Sequence, residues 1–172
     1  MILDDGTGPG MQAANGASWR CVTDRVMGGL SEGSLTRRKI DGRTALHLTG
    51  RVRLENNGGF LQMALDLAPP GAVLDASGFT GLALEVRGTN AAHNIHLRGP
   101  DLSKPWQSWR ATFETTPEWR RVVVPFSAFA PHRTDRPLAL TRLARIGLVA
   151  IGQAMMVDLA LSRLELMADA HP

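Results

Sequence analysis

Apolar and polar residues alternate in short blocks along most of this chain. Between positions 61 and 67 every second residue from Leu61 is apolar, and Gln62 and Asp66 fall on the other side. A period of two places one face of an extended strand in a core and the other in solvent. The same alternation recurs in three further blocks: 82–87, 95–98 and 109–114. The pattern therefore predicts several short β-strands, each with one buried side.

Turn residues separate these blocks. Asn57-Gly58 lies between the segments 51–54 and 60–63, and it predicts a two-residue hairpin because both residues tolerate positive φ. Further turn signals occur at 69–71, 75–78 and 115–117. Many short strands at regular spacing predict an all-β fold, a β-sandwich or jelly roll with at most short helical turns.

Two segments depart from simple alternation. Apolar residues between 140 and 151 also fit a helical period, but the glycines and β-branched residues there favour a strand after a brief helical turn at about 141–145. In the last block, 157–166, the apolar face changes sides after Leu161. A β-bulge near Ser162 explains this change of phase.

The length of 172 residues suits one domain with a substantial core. We expect residues 1–16 to be a loosely ordered lead-in and residues 17–168 to form the domain. The first residues lack the pattern of a secretory signal or a transit peptide, and no apolar run is long enough to span a bilayer. Cys21 is the single cysteine, which excludes an internal disulfide. These features favour a bacterial-type cytoplasmic protein.

A dense cluster of special residues lies near the start of the predicted domain: Trp19, Asp24, Met27, Gly28, Gly29 and Ser31. With Val26 and the later segments 54–60, 79–88 and 119–129, it resembles the signature of the complex I intermediate-associated protein 30 family. The resemblance implies a galactose-binding-like β-sandwich. Because mitochondrial members of that family help to assemble respiratory complex I, it also implies a chaperone-like assembly role toward an oxidoreductase. The chain departs from the family pattern at 89–94 and 153–156.

The double-glycine turn has two interpretations. The N–H groups of Gly28 and Gly29, with the Ser31 hydroxyl, could form a small anion-binding concavity. Alternatively, the glycines allow a tight turn between strands, and Asp24 satisfies N–H groups within it. Turn chemistry alone accounts for every residue type present, so we favour the second interpretation.

The polar sides of the predicted strands offer a candidate binding face. If the strands near 82, 95 and 107 are neighbours, one face carries Glu85, Arg87, His96, Arg98, Arg110 and Thr112. Such a cluster could hold a sugar, a carboxylate or a peptide; the alternative is a solvated face with ion pairs of little value. Trp106, beside Lys104-Pro105, is the aromatic residue most suited to an exposed contact.

The sequence gives little support to catalysis or to a metal. It has no nucleophile elbow, phosphate-binding loop or dinucleotide fingerprint, and we expect no cofactor. His93 and His96 point to opposite sides of a strand, which argues against a metal site. Cys21 with His96 could be imagined as a nucleophile and base, but Cys21 is better explained as a small buried residue.

The basic charge is also weak evidence for nucleic-acid binding, because the arginines are scattered and lack interleaved aromatics.

The leading hypothesis is a non-enzymatic module that binds a protein partner or a small ligand, without a membrane span. The resemblance implies that the partner is an oxidoreductase subunit. A carbohydrate-binding module and an uncharacterised enzyme are the alternatives.

Overall fold

Two antiparallel β-sheets make up the computed structural model, which describes residues 1–168. The first sheet has the order β3-β4-β12-β6-β9, and β1 also pairs with β12. Its strands are β1 (Ile2–Asp4), β3 (Glu32–Ile40), β4 (Arg43–Val52), β6 (Gly81–Gly88), β9 (Arg120–Pro125) and β12 (Met155–Met167). The second sheet has the order β10-β8-β7-β11-β5-β2. Its strands are β2 (Arg20–Thr23), β5 (Phe60–Asp66), β7 (Ala91–Arg98), β8 (Ser108–Thr115), β10 (Ala130–His132) and β11 (Arg145–Ile151).

The core is a single apolar layer between the two sheets. Leu61, Met63 and Leu65 of β5 are fully buried, as are Leu46 and Leu48 of β4 in the first sheet. Alternate residues of β5, β7 and β8 enter this layer, as the sequence pattern predicts. The predicted all-β sandwich is confirmed.

Helical structure in residues 1–168 is limited to short 3₁₀ turns, and no helix in this range has the length and apolarity needed to cross a bilayer. One such turn, Leu140–Arg142, precedes β11, so the strand interpretation of that segment is confirmed. The pairing of β12 with β6 shifts register between Leu161 and Arg163. This irregularity is the β-bulge expected near Ser162.

The predicted hairpin at Asn57-Gly58 is wrong. The strand before it, β4, belongs to the first sheet, and the strand after it, β5, belongs to the second. A 3₁₀ turn at Glu55–Asn57 and positive φ values at Asn56, Asn57 and Gly59 carry the chain from one sheet to the other. The residues that permit positive φ therefore make a corner, because both strands find better pairing partners elsewhere.

The amino-terminal segment is also more structured than expected. β1 pairs with β12, and Leu3 is buried in the core. The buried carboxylate of Asp4 accepts hydrogen bonds from Trp19 Nε1 at 2.6 Å and from Arg37 Nη2 at 2.9 Å. Residues 1–16 thus contribute a strand and a buried ion pair, which a loosely ordered lead-in would not.

Candidate functional site

The carboxylate of Asp24 organises the turn that follows β2. Asp24 is fully buried, and its Oδ1 accepts the Ser31 N–H at 3.0 Å. Its Oδ2 accepts the Ser31 hydroxyl and the N–H groups of Gly59 at 2.6 Å and Phe60 at 3.2 Å. Burial alone would raise the pKa of Asp24, but these hydrogen bonds outweigh burial and hold that pKa below its usual value. The turn is therefore fastened to the corner loop, residues 53–59, by one ionised side chain.

The glycines of the turn serve this arrangement. Gly28 has φ of 85° and ends the 3₁₀ turn Asp24–Met27. A Cβ at Gly29 would lie 2.5 Å from Asp24 Cγ, and one at Gly58 would lie 2.7 Å from Asp24 Oδ2. The carboxylate thus occupies space that only two glycines leave open.

The three donors that would bind an anion in this turn already have partners within the protein. The Gly28 N–H donates to Arg25 O at 3.1 Å, and the Gly29 N–H donates to Asp24 O at 2.9 Å. The Ser31 hydroxyl is engaged by Asp24 and by the backbone of Arg53. The structural interpretation accounts for these groups, as the sequence argument favoured.

Exposed aliphatic side chains lie at the tip of this turn. Val26 is 74% exposed and Met27 is 59% exposed, while Leu54 on the corner loop is 49% exposed. The Asn56 side chain donates to Gly28 O at 3.2 Å and joins the two loops. We call Val26, Met27 and Leu54 the apolar apex. Met27 belongs to the signature residues, and no sequence signal indicates that its side chain lies in solvent.

The predicted polar face divides between the two sheets. His96 and Arg98 of β7 and Arg110 and Thr112 of β8 lie on the outer face of the second sheet, where His96 pairs with Arg110. The placement of Glu85 and Arg87 on the same face is wrong, because β6 belongs to the first sheet.

Glu85 and Arg87 have partners on that other sheet. Glu85 lies 3.9 Å from Arg43, and Arg87 pairs with Asp41. Alternation shows which side of its own strand a residue faces, but not which strands are neighbours.

Arg98 positions the loop that carries Trp106. Its Nη1 donates to the backbone carbonyls of Lys104 at 3.0 Å, Pro105 at 3.2 Å and Gln107. Trp106 is 54% exposed, as the sequence argument expected. The Nη1 group of Arg98 is therefore engaged by the protein's own loop.

Arg110 and Arg133 bring two positive charges together beside β8, next to the ring of His132. Arg110 Nε donates to Ser108 Oγ at 2.8 Å, and its pKa is lowered by burial and by Arg133. Burial and then both arginines lower the pKa of His132. None of the three forms an ion pair with any acidic group in residues 1–168. We call Arg110, His132 and Arg133 the cationic cluster.

His96 lies beside this cluster and is neutral. Its Nε2 is buried without a hydrogen-bond partner in the described part of the chain. Burial, with the charges of Arg110, His132 and Arg98, lowers the pKa of His96 to about 3. The ring therefore adds no charge of its own near neutral pH.

The two histidines of β7 face opposite ways, as predicted. His93 is buried against Phe113, with Nε2 3.1 Å from Thr115 Oγ1, whereas His96 is on the outer face. Cys21 packs against the core, so it does not face His96, and burial raises the pKa of its thiol. Within residues 1–168 no three metal-binding side chains come together.

A sequence model of the complex I intermediate-associated protein 30 (CIA30) family matches residues 11–161. The chain belongs to this family. In this CIA30 protein the match includes the signature turn, the corner loop and the cationic cluster. No curated protein matches the sequence significantly.

Solved structures of carbohydrate-binding modules share the fold of this CIA30 protein. The family 11 module of the cellulase Lic26A-Cel5E of Clostridium thermocellum has a TM-score of 0.76 and 13% identity, covering 97% of this chain and 93% of that one. The Clostridium thermocellum family 11 module in complex with a β-1,3-1,4-mixed-linked tetrasaccharide has a TM-score of 0.71 and 14% identity, covering 96% and 94%. A family 30 module has a TM-score of 0.69 and 11% identity, covering 100% and 90%. At these identities the likeness establishes the β-sandwich alone.

Proposed function

We propose that this protein is a non-enzymatic binding module that holds a protein partner through the apolar apex. The observation that carries the proposal is the exposure of Val26 and Met27 on a turn fastened by the buried Asp24 carboxylate. Exposed aliphatic groups gain free energy when a partner covers them. The family name points to a partner that is a subunit of a respiratory oxidoreductase.

The construction of the turn supports this role. A loop that is already held in one conformation loses less conformational entropy on binding than a mobile loop. Asp24 receives hydrogen bonds from both the turn and the corner loop, so Met27 and Leu54 are carried by one connected unit. Aliphatic side chains of this kind match apolar protein surfaces and offer sugars neither stacking planes nor polar groups.

The proposal is tested with a Val26→Ser/Met27→Ser double variant. The tagged chain is expressed in the cells that encode it, and proteins that copurify are identified by mass spectrometry. We expect a defined oxidoreductase subunit with the wild-type chain, and a loss of affinity of roughly tenfold or more in the double variant, because two buried apolar side chains are removed. Deletion of the gene should lower the level of the assembled respiratory complex.

Val73→Ser is the matched control, because Val73 is an exposed aliphatic residue remote in sequence from the apex. Both variants must retain the wild-type melting temperature. Retention of the same partner by the double variant, or equal loss in the control, would contradict the proposal.

Carbohydrate binding is the second candidate, and Trp106 favours it. This exposed indole lies on a loop fixed by Arg98, and a stacking platform held in this way suits a sugar ring. Calorimetric titration with a β-1,3-1,4-mixed-linked tetrasaccharide tests it. Saturable binding that is lost in Trp106→Ala would support this candidate, and absence of binding by the wild-type chain would remove it for that glycan.

A further inference from the structure

Several arginines of the sandwich are paired with acidic side chains, and on the second sheet Arg20 and Arg145 are paired with Asp66. On the first sheet, Arg43 lies by Glu85, Arg87 pairs with Asp41, and Arg121 pairs with Glu165 at 3.0 Å. Charges of opposite sign neutralise one another at these three positions, whereas Arg38 and Arg120 of the same sheet lie apart on β3 and β9.

The edge of the second sheet beside β8 lacks such compensation. Arg110 is half-buried and pairs across the strands with His96 on one side and Ala130 on the other. His132 pairs with Ser108, and Arg133 follows it directly. The acidic residue nearest along the chain, Asp135, makes no ion pair with the cluster within the described residues. Like charges held together without a counter-charge destabilise the free protein, and an arriving anion relieves that repulsion.

We propose that the cationic cluster binds the carboxylates of an extended acidic segment of a protein partner. The inference rests on the proposed protein-binding function only for the class of partner. It assigns a second contact surface at the β10 edge of the second sheet. The opposite edge is β2, which leads into the apolar apex. Each guanidinium can hold one carboxylate through two parallel hydrogen bonds.

The spread of the cluster favours an acidic segment over a single small anion. Its residues come from β8, from the neighbouring edge strand β10 and from the loop after it, and adjacent strands lie about 4.8 Å apart. In an extended chain, side chains on the same face repeat about every 6.6 Å, so alternate glutamates can reach separate guanidinium groups. A lone phosphate would engage only part of the cluster.

The backbone conformation at Arg133 also supports the proposed binding site. Its φ of 57° lies in the left-handed region, which an arginine rarely occupies. The Gln107 side chain donates to Arg133 O at 3.1 Å and ties this position to the loop that carries Trp106. An unfavourable conformation is thus maintained where it places a second guanidinium group near Arg110 and His132.

The test measures binding of a fluorescein-labelled polyglutamate peptide, roughly ten residues long so that it spans the cluster in extended form. Fluorescence anisotropy is recorded at low ionic strength, with a polyglutamine peptide as the uncharged comparison. We expect saturable binding of polyglutamate alone. The Arg110→Gln/Arg133→Gln variant should bind at least about tenfold more weakly, since two charge-assisted contacts are lost. Arg133→Gln by itself, at an exposed position, should give part of the loss if the double variant folds poorly.

Arg38→Gln/Arg120→Gln is the matched control. Both residues are exposed, neither forms an ion pair within residues 1–168, and the variant changes net charge by the same amount. Equal weakening in the two double variants would overturn the proposal, because net charge alone would then explain binding. Displacement of the peptide by stoichiometric inorganic phosphate, or binding of polygalacturonate in place of polyglutamate, would also overturn it. Val26→Ser/Met27→Ser should leave peptide binding intact, which separates this inference from the proposed function.

Discussion

A single buried carboxylate connects the turn after β2 to the corner between the sheets. Asp24 accepts hydrogen bonds from Ser31, Gly59 and Phe60, and it has no arginine or lysine partner among the described residues. Its charge is stabilised by N–H and O–H dipoles alone, as in other buried carboxylates with several donors. The contribution of Asp24 to the stability of the fold is therefore sensitive to a substitution that keeps the shape of the side chain but removes an acceptor.

Asp24→Asn should destabilise the fold by about 3 kcal/mol. The new amide group would direct N–H donors at the donors of Ser31 or Gly59, and buried donors without acceptors are costly. Urea denaturation at neutral pH measures the free energy of unfolding. The control Asp75→Asn changes an exposed carboxylate that accepts the Ser77 N–H, and it should cost no more than about 0.5 kcal/mol. Similar costs for the two variants would show that the Asp24 network contributes little.

At the scale of elements, the short edge strand β10 and its loop combine two unfavourable features. Arg133 has positive φ, and its charge lies near Arg110 and His132. Arg133→Asn should raise the free energy of unfolding by about 0.5–1 kcal/mol, because asparagine tolerates this conformation and removes one like charge. Urea denaturation measures the gain.

Arg133→Gln separates the two causes. Glutamine removes the charge but keeps an unbranched side chain in the left-handed region, so its gain should be smaller than that of asparagine. A loss of stability in Arg133→Asn would contradict the strain argument. If Arg133→Asn instead gains stability while polyglutamate binding weakens, the loop conformation is maintained at a cost in stability.

The sequence predicts single elements better than the relations between them. Alternation identified β5, β7 and β8, and the change of phase after Leu161 located the bulge, because both depend on residues close along the chain. Sheet membership depends on pairing between distant segments. The prediction therefore failed at Asn57-Gly58, where a turn signal marks a corner, and at Glu85, whose strand lies in the other sheet.

The candidate sites show the same division. Glycine and aspartate at 24–31 indicated a tight turn, and Asp24 does satisfy N–H groups there. The N–H of Gly59, 35 positions away, was not predictable from local sequence. The cationic cluster joins Arg110 to Arg133 only because β10 pairs with β8. Neither β8 nor β10 contains a local sequence signal for that pairing.

For the whole molecule, the titrating groups predict a loss of stability in acid. Burial lowers the pKa of His93 from its usual 6.5 to about 4, and burial with nearby positive charge lowers that of His96 to about 3. The unfolded chain therefore binds more protons than the folded chain below pH 6.5. The stability that the two neutral histidines contribute is fully present above pH 6.5 and declines as the pH falls toward 4. The contribution of Asp24, whose hydrogen bonds outweigh burial to lower its pKa, is lost at still lower pH.

The contribution of one histidine to this pH dependence can be measured separately at His93, which is buried. From pH 7.5 to 4.5, His93 should account for roughly 2–3 kcal/mol of lost unfolding free energy, measured by urea denaturation. His93→Phe removes the titrating group while keeping a ring against Phe113, 5.5 Å away between centroids, so the acid loss should shrink by that amount. Phe113→Leu changes the same contact without changing titration and should keep the wild-type loss. An unchanged acid loss in His93→Phe would mean that other groups set the pH dependence.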